Sequence, residues 1–285
     1  MNYKVTAAVV TFNRLDLLKK VIGALREQSY KIDNIIIINN SSTDGTEDWL
    51  SLQKDLIVIK QSNLGSSGGQ YRAFKESESS DCDLIWIMDD DVVPEKDCLE
   101  KLIKHYKAGY VLFPLRLYRD KRPYLNDCIK LNLTNPFKHI WKRVVAESDF
   151  TNETIEVQGP TFEGPLFAKE VISKVGLPEK KFFIFADDTE YFLRAQRAGY
   201  KMLLVRDANL VRMIDPPENV ADFTWKSFYS IRNLVVIDRL YGNIFVKLLR
   251  PIAYTFLFLK NSRSLADIKT TVKAIWAGLT YRSEN

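Results

Sequence analysis

Apolar positions in the first part of the chain alternate between two rhythms. Residues 5–12, VTAAVVTF, form a continuous apolar run that stops at Asn13, and LDLLKKVIGALREQS follows with Leu18, Ile22 and Leu25 spaced for one helical face. IDNIIIINN, LIVIK and DLIWIMDDD repeat the short buried-type run of a strand. Between them, SSTDGTEDWLSL predicts a helix with Asp44 as N-cap and Glu47 three residues on, the carboxylate version of a capping box. Strands alternating with helices imply a doubly wound α/β fold: a mostly parallel sheet flanked by helices, with ligands gathered at the carboxyl ends of the strands. Three of those ends are polar, Thr11 to Arg14, Asn39 to Asp44 and Asp89 to Asp91, and they are expected to converge on one crevice.

The segment NLGSSGG after LIVIK has glycines that can turn the chain and bring backbone N–H groups close to a ligand. It matches neither GxGxxG nor a Walker loop, so dinucleotide and ATPase readings lose support. From residue 116 to 155 the pattern weakens into a mixed, aromatic-rich segment, expected near an acceptor. Regular pattern returns with a Gly/Pro turn, a short helix ending at Gly176 and a helix after Asp187 and Asp188. The C-terminal residues read as helical, with Pro216, Pro217 and Pro251 as breakers.

At 285 residues the chain is long enough for a substantial core, and 46% hydrophobic with 27% charged residues is ordinary for a globular protein. Lys and Arg number 41 against 36 Asp and Glu, a net charge of +5 that leans toward anionic partners such as nucleotides or acidic lipid. Nucleic acid is not expected, because no basic run interleaved with aromatics appears and the acids cluster where such a partner would be repelled. Cys82, Cys98 and Cys128 have no CxxC spacing, so neither a zinc site nor a disulfide framework is indicated and a reducing compartment fits. The N-terminal apolar run is short and lacks a small-residue cleavage site, so it reads as a strand and export is not expected.

Three consecutive carboxylates, Asp89, Asp90 and Asp91, repel one another at the end of an apolar strand. One reading is a solvated turn capping a helix that starts near Pro94. The other is a pair of hard oxygen ligands for Mg²⁺ or Mn²⁺ on a bound diphosphate, which would relieve the repulsion. The second cluster, FADDTEYFLRAQRAG, reads either as acids set against a helix macrodipole or as a catalytic group. In the catalytic reading Asp188 faces the crevice as a general base, while Asp187 or Glu190 orients an acceptor hydroxyl.

Taken in order, VVTFNR, INNSSTDGT, NLGSSGG, MDDDVVP, GLPEKKFFIFADDTEYFLRAQRAGY and FYSIRN resemble the family 2 inverting glycosyltransferases of the GT-A fold, particularly the galactofuranosyl- and rhamnosyltransferase branch. The resemblance implies a GT-A catalytic domain over 1–215, divided into a nucleotide-binding half (1–115) and an acceptor-binding half (116–215), with a C-terminal helical extension over 216–285. It implies that Thr11, Phe12 and Arg14 line a uracil or thymine pocket, with Arg14 also reaching phosphate. Asn39 stands where the family usually has an Asp on the pyrimidine, and an amide can still donate and accept there. Asn63 and Gly65 would meet the nucleotide, Asp89 and Asp91 the metal, and Asp90 the donor sugar or ribose. Asp188 matches the catalytic base, Glu163 would reach sugar hydroxyls, and Tyr229 and Arg232 would help close the site over donor or acceptor.

Related galactofuranosyltransferases have a metal-binding His after the last core strand, and Arg212 stands at that position here. A guanidinium cannot ligate a metal but can neutralise diphosphate, so the resemblance implies a weaker dependence on Mn²⁺ or Mg²⁺; Asp215 is an alternative ligand nearby. The stretch 244–263 sets Lys247, Arg250, Lys260 and Arg263 among Leu, Ile, Phe and Tyr, as an interfacial helix would, with a buried helical hairpin as the alternative. The implied partners are a UDP- or dTDP-sugar donor and a glycan acceptor, with a polyprenyl-diphosphate-linked one implied if the helix lies on a membrane. The implied location is cytoplasmic, at the inner face of the cell membrane, and a homo-oligomer is compatible with the chain. Two other readings remain, a catalytically silent nucleotide-sugar-binding protein and a sugar-1-phosphate nucleotidyltransferase, the latter lacking its Gly-rich basic loop.

Overall fold

The computed structural model describes residues 2–215 and 223–283. The expected breakers Pro216 and Pro217 lie outside the described residues.

The chain opens with strand β1 (Val5–Thr11), helix α1 (Leu15–Arg26), β2 (Asn34–Asn39), α2 (Thr46–Ser51), β3 (Leu56–Lys60), α3 (Gly65–Ser79) and β4 (Leu84–Asp89). These four strands lie in the order β3-β2-β1-β4 and all run parallel. β1, β2 and β4 read as unbroken apolar runs because both faces of the sheet are covered there, whereas the edge strand β3 leaves Ile57 and Val58 exposed. Ala8, Val10, Ile36, Ile38, Ile85 and Ile87 face one core with Phe74 of α3, while Val5, Ala7, Val9, Ile35, Ile37 and Trp86 face the other with Leu18, Val21 and Ile22 of α1.

The chain continues through β5 (Val92–Pro94), α4 (Cys98–His105), β6 (Tyr110–Leu117), a small separate hairpin of β7 (Cys128–Leu131) and β8 (Trp141–Val144), and β9 (Thr154–Glu156). It then forms β10 (Leu166–Ala168), α5 (Glu170–Val175), α6 (Asp187–Arg197) and β11 (Lys201–Arg212). Short β10 runs antiparallel between β4 and β6, β11 runs parallel beside β6, and β5 and β9 pair with β11 antiparallel. Helices α7 (Ser227–Tyr241), α8 (Ile244–Asn261) and α9 (Leu265–Leu279) pack together, with Ile231, Val235 and Ala274 in a third core.

Four local expectations are corrected. Gly45, in the left-handed region at φ 86°, takes the N-cap of α2, because that conformation costs a glycine nothing. Asp44 instead accepts from the Thr46 hydroxyl (2.6 Å) and from the Leu15 N–H (2.9 Å), tying two helix starts together, and Glu47 pairs with Lys60. The acidic triplet leads into β5, which pairs with β11, so no helix starts at Pro94. Pro251 lies inside α8, whose inner residues Val246, Arg250 and Tyr254 are buried; that packing outweighs the one hydrogen bond a proline forfeits. Arg250 is therefore no part of a basic surface: it is buried, with its guanidinium on Asp238 Oδ1 at 2.7 Å.

Candidate active site

Strand register sets the stage. Thr11 lies beside Asn39, and Val10 beside Asp89, so three parallel strands end side by side. Their ends floor a cleft of about 620 Å³ that Thr11, Phe12, Arg14, Asn63, Gly65 and all three acids of the triplet line, as the sequence led us to expect. Asn39 does not join them: it is buried, its Oδ1 accepting from the Ser42 N–H at 2.9 Å, and its neighbour Asn40 lines the wall instead. The helix α3 opens at this cleft with no acid in its first turn; its Gly65 and Ser67 N–H groups are taken by Asn63 Oδ1 (2.9 Å) and the Phe183 carbonyl oxygen (3.1 Å), and Ser66 lines the cleft.

The glycines at the start of α3 serve packing as well as turning. Gly65 has φ +75°, and a Cβ there would lie 2.1 Å from the Phe183 carbonyl oxygen. A Cβ on Gly69 would meet Val10 Cγ1 at 2.4 Å, so these residues let α3 approach β1 and the 183 loop closely.

The repulsion within the triplet is met partly inside the protein. Arg14 Nη1 sits 2.9 Å from Asp90 Oδ1 and 2.9 Å from Asp91 Oδ2. Asp90 Oδ2 also accepts from the Thr11 hydroxyl at 2.7 Å and the Phe12 N–H at 3.3 Å, so Asp90 fixes the loop after β1. Burial raises the proton affinity of Asp90 and Asp91, and Arg14 opposes it. Asp89 has an amide partner, Gln70 Nε2 at 2.8 Å, and is lifted well above the ordinary carboxylate range by burial and by Asp91 and Glu163.

The second acidic cluster begins where the backbone is least relaxed. Phe183, Phe185 and Ala186 all have positive φ (64°, 78° and 65°), conformations that non-glycine residues hold only when their surroundings enforce them. The enforcing groups come from α7. Asn233 Nδ2 donates to the carbonyl oxygens of Phe182 (3.1 Å), Ile184 (3.0 Å) and Phe185 (2.7 Å), and Arg232 Nη2 donates to those of Lys181 and Phe182, both at 2.8 Å. Tyr229 stacks on Phe183 with ring centroids 4.8 Å apart. The FYSIRN segment thus clamps the loop that delivers Asp187 and Asp188.

Asp187 and Asp188 line a second cavity of about 360 Å³, which shares Ser66 with the first. Asp188 Oδ1 accepts from the Thr189 N–H at 2.6 Å and keeps partial contact with solvent. The surrounding protein, and then the neighbouring Asp187, push Asp188 up to about 7, while burial pushes Asp187 up to about 6. Glu190 is corrected: it is 2% exposed and turned inward to Arg194 and the Tyr241 hydroxyl, because on this helix it lies on the buried face. It holds α6 to α7 and has no path to an acceptor.

Arg212 is engaged as well, with Nε 3.3 Å from Glu163 Oε2 and the guanidinium 4.3 Å from the Tyr124 ring centroid. Glu163 also meets Arg116 Nη1 at 3.1 Å, and Arg116 Nη2 lies 3.0 Å from Asp127 Oδ1. Sequence reading missed Arg116, Tyr124, Asp127 and Trp141, all from the segment whose periodicity is weak, and Trp225 and Lys226, which line the first cleft just before FYSIRN. The aromatic-plus-basic pair preceding that block was the available signal for the last two. Asp215 lines a separate cavity with Tyr118, Arg119, Asp120 and Arg122.

Asp89 and Asp91 offer the hard carboxylate oxygens that Mg²⁺ and Mn²⁺ prefer, and the crowding of Asp89, Asp91 and Glu163 is charge that a divalent cation would offset. Among the described residues, no group of three or more His, Cys, Asp or Glu side chains is arranged to hold a metal. A cation at the triplet would therefore take its remaining ligands from water and a bound diphosphate.

Residues 6–160 match the family model "Glycosyl transferase family 2". The chain is 25% identical over 205 residues to the galactofuranosyltransferase GlfT1 of Mycolicibacterium smegmatis, covering 68% of this chain and 66% of that protein, just under two thirds of its length. It is 25% identical over 220 residues to the dTDP-rhamnosyl transferase RfbF of Shigella flexneri, covering 75% of this chain and 70% of that one. Among solved structures, GalNAc-T7 with UDP, GalNAc and Mn²⁺ superposes with a TM-score of 0.68 at 11% identity, over 95% of this chain and 54% of that one. That likeness concerns the fold, and the expected GT-A architecture stands.

Proposed function

Since the chain belongs to glycosyl transferase family 2, we propose that it moves a sugar, galactofuranose or rhamnose, from a UDP- or dTDP-sugar to a hydroxyl of a glycan acceptor with inversion, in cell-surface polysaccharide synthesis. One observation carries the reading: the cleft floored by the acidic triplet meets, at Ser66, a second cavity that holds Asp188. The nucleotide takes the first cavity and the acceptor the second. Phe12 and Asn63 contact the base and nucleotide, and the α3 N-terminus and Lys226 face the diphosphate.

Asp188, ionised, takes the proton from the acceptor hydroxyl, and that oxygen attacks the anomeric carbon as its bond to the diphosphate breaks. Attack opposite the leaving group inverts the anomer. Asp187, buried beside it, keeps Asp188 basic enough to accept a proton near neutral pH. Asp89 and Asp91 would hold a divalent cation, which when bound would offset charge on the departing diphosphate. Arg116 lines the acceptor side, and Glu163 ties it to Arg212 from behind the cavity wall. The acceptor is a glycan, polyprenyl-diphosphate-linked if the C-terminal helices lie on the cytoplasmic face of a membrane. The engagement of Arg212 where relatives have a His favours one second reading, a silent nucleotide-sugar-binding protein, which turnover of any donor dismisses.

The test is thermal stabilisation by UDP, dTDP, GDP and CDP, with and without Mn²⁺ or Mg²⁺, on the wild-type protein and on Asp91→Ala. Stabilisation by UDP or dTDP that needs metal and is lost in Asp91→Ala supports the reading. If no nucleotide binds, the reading falls.

A further inference from the structure

The outer face of α8 and α9 carries a continuous apolar stripe. On α8, Phe245, Leu248, Ile252 and Phe256 recur at helical spacing and are exposed, Phe256 at 70%; on α9, Leu265, Ile268, Val272 and Trp276 do the same, Trp276 at 68%. Opposite faces of both helices pack on α7, so the stripe is the side left over after the third core is built. Exposed apolar side chains in such number are a docking surface.

Charge narrows the occupant. Lys247, Lys260, Lys269 and Lys273 flank the stripe and are exposed. The acid within the described part of these helices is Asp267, and its carboxylate is occupied by the backbone N–H groups of Arg263 (2.9 Å) and Ser264 (3.0 Å). A second copy of this face would set lysines against lysines. An anionic lipid surface complements both features, because the apolar side chains enter the acyl boundary while lysine stems reach the headgroups. No described helix is long and apolar enough to cross a membrane, and buried Arg250 ties α8 to the body of the protein through Asp238.

We propose that the α8–α9 face docks on an anionic bilayer, and that this docking carries the second cavity to the lipid surface. Arg250 Nη2 donates to the carbonyl oxygens of Asn132 (2.8 Å) and Asn135 (2.7 Å), and Asn243 Nδ2 donates to that of Thr134 at 3.0 Å. The loop held in this way exposes Phe137 and runs into Trp141, which lines the cavity of Asp188. Docking itself is independent of the transferase reading; its benefit to a lipid-linked acceptor rests on it.

The experiment is co-flotation of the full chain with phosphatidylcholine vesicles and with mixed phosphatidylcholine–phosphatidylglycerol vesicles, over a salt series. Binding to the mixed vesicles that weakens with salt is expected, with little binding to phosphatidylcholine alone. Phe256→Glu with Trp276→Glu should weaken vesicle binding by about tenfold or more for each aromatic removed from lipid, and Lys260→Glu with Lys269→Glu should abolish the preference for anionic lipid. Nucleotide-dependent thermal stabilisation, unchanged in both variants, checks folding and reports on the donor site separately. Absence of vesicle binding, equal binding to both vesicle types, or a dimer dissolved by Phe256→Glu without lipid binding would overturn the proposal.

Discussion

The two acidic clusters are chemically alike and differ in how the fold meets their charge. At the end of β4 the fold supplies its own cation: Arg14 bridges Asp90 and Asp91, and the loop after β1 adds an N–H and a hydroxyl to Asp90. At the start of α6 no guanidinium or ammonium lies within ion-pair distance of Asp187 or Asp188 among the described residues, and both are pushed up, to about 6 and about 7. Burial raises the triplet's acids as well, Asp89 most, but Arg14 opposes the rise at Asp90 and Asp91, and acids given such a counter-cation are better suited to position ligands than to exchange protons. Acids packed together without one are suited to bind and release a proton.

The sharpest way to break this comparison is Asp188→Asn. Transfer should fall about a thousandfold, while nucleotide-dependent stabilisation and melting temperature hold; unchanged turnover would remove Asp188 from the chemistry, and lost folding would make its role structural.

A pH series sharpens the contrast next. The base must be ionised, so kcat/KM should drop as pH falls through about 7, by up to about tenfold per unit, with the limb belonging to the Asp187–Asp188 pair jointly. Stability runs the other way. Folding raises the proton affinity of these acids above the ordinary 3.8, so the native state binds more protons between that value and about 7, and their contribution to stability is lost as pH rises through this window. A pH-rate profile flat from acid to neutral contradicts the assignment.

Asn233→Ala attacks the clamp behind the pair. The carbonyl oxygens of Ile184 and Phe185 lose their side-chain donor while that of Phe182 keeps Arg232, a cost of about 1–3 kcal/mol in stability, and the loop with positive φ at Phe183, Phe185 and Ala186 relaxes. Because Phe183 and Ile184 of this loop line the first cleft and Phe185 and Ala186 the second, kcat should fall and donor KM should rise together; a variant with neither effect would deny a positioning role.

The smallest effect is expected from Arg14→Met, which takes the built-in cation from the triplet. The Arg14 side chain is 42% exposed, so solvent screens the pair and the loss is about 1–2 kcal/mol. Nucleotide binding should then depend more strongly on Mn²⁺, since the cation must offset all three acids. A titration showing unchanged metal dependence would mean that Arg14 contributes nothing to neutralising the triplet.

Legibility followed the burial of the strands. β1, β2 and β4 and the polar residues at their ends could be read because an apolar run covered on both faces has one stable use, and a parallel sheet gathers its carboxyl ends on one edge. Asn39 was placed on the right strand end but on the wrong side of a turn, since which of two neighbouring amides faces the cleft depends on who satisfies the Ser42 N–H. Glu190 shared a motif with Asp187 and Asp188, yet helical rotation turned it into the core toward Arg194 and Tyr241.

By itself the sequence determined the order of elements as far as β4, the three polar strand ends and the family, because these follow from local periodicity and contiguous motifs. Tertiary structure alone decided which charges meet. Arg14 reaches Asp90 across 76 positions and Arg116 reaches Glu163 across 47, while Asn233 grips carbonyl groups up to 51 positions away. Such partners carry no local signal, because a side chain's electrostatic environment is set by whatever the folded chain brings within a few ångströms of it.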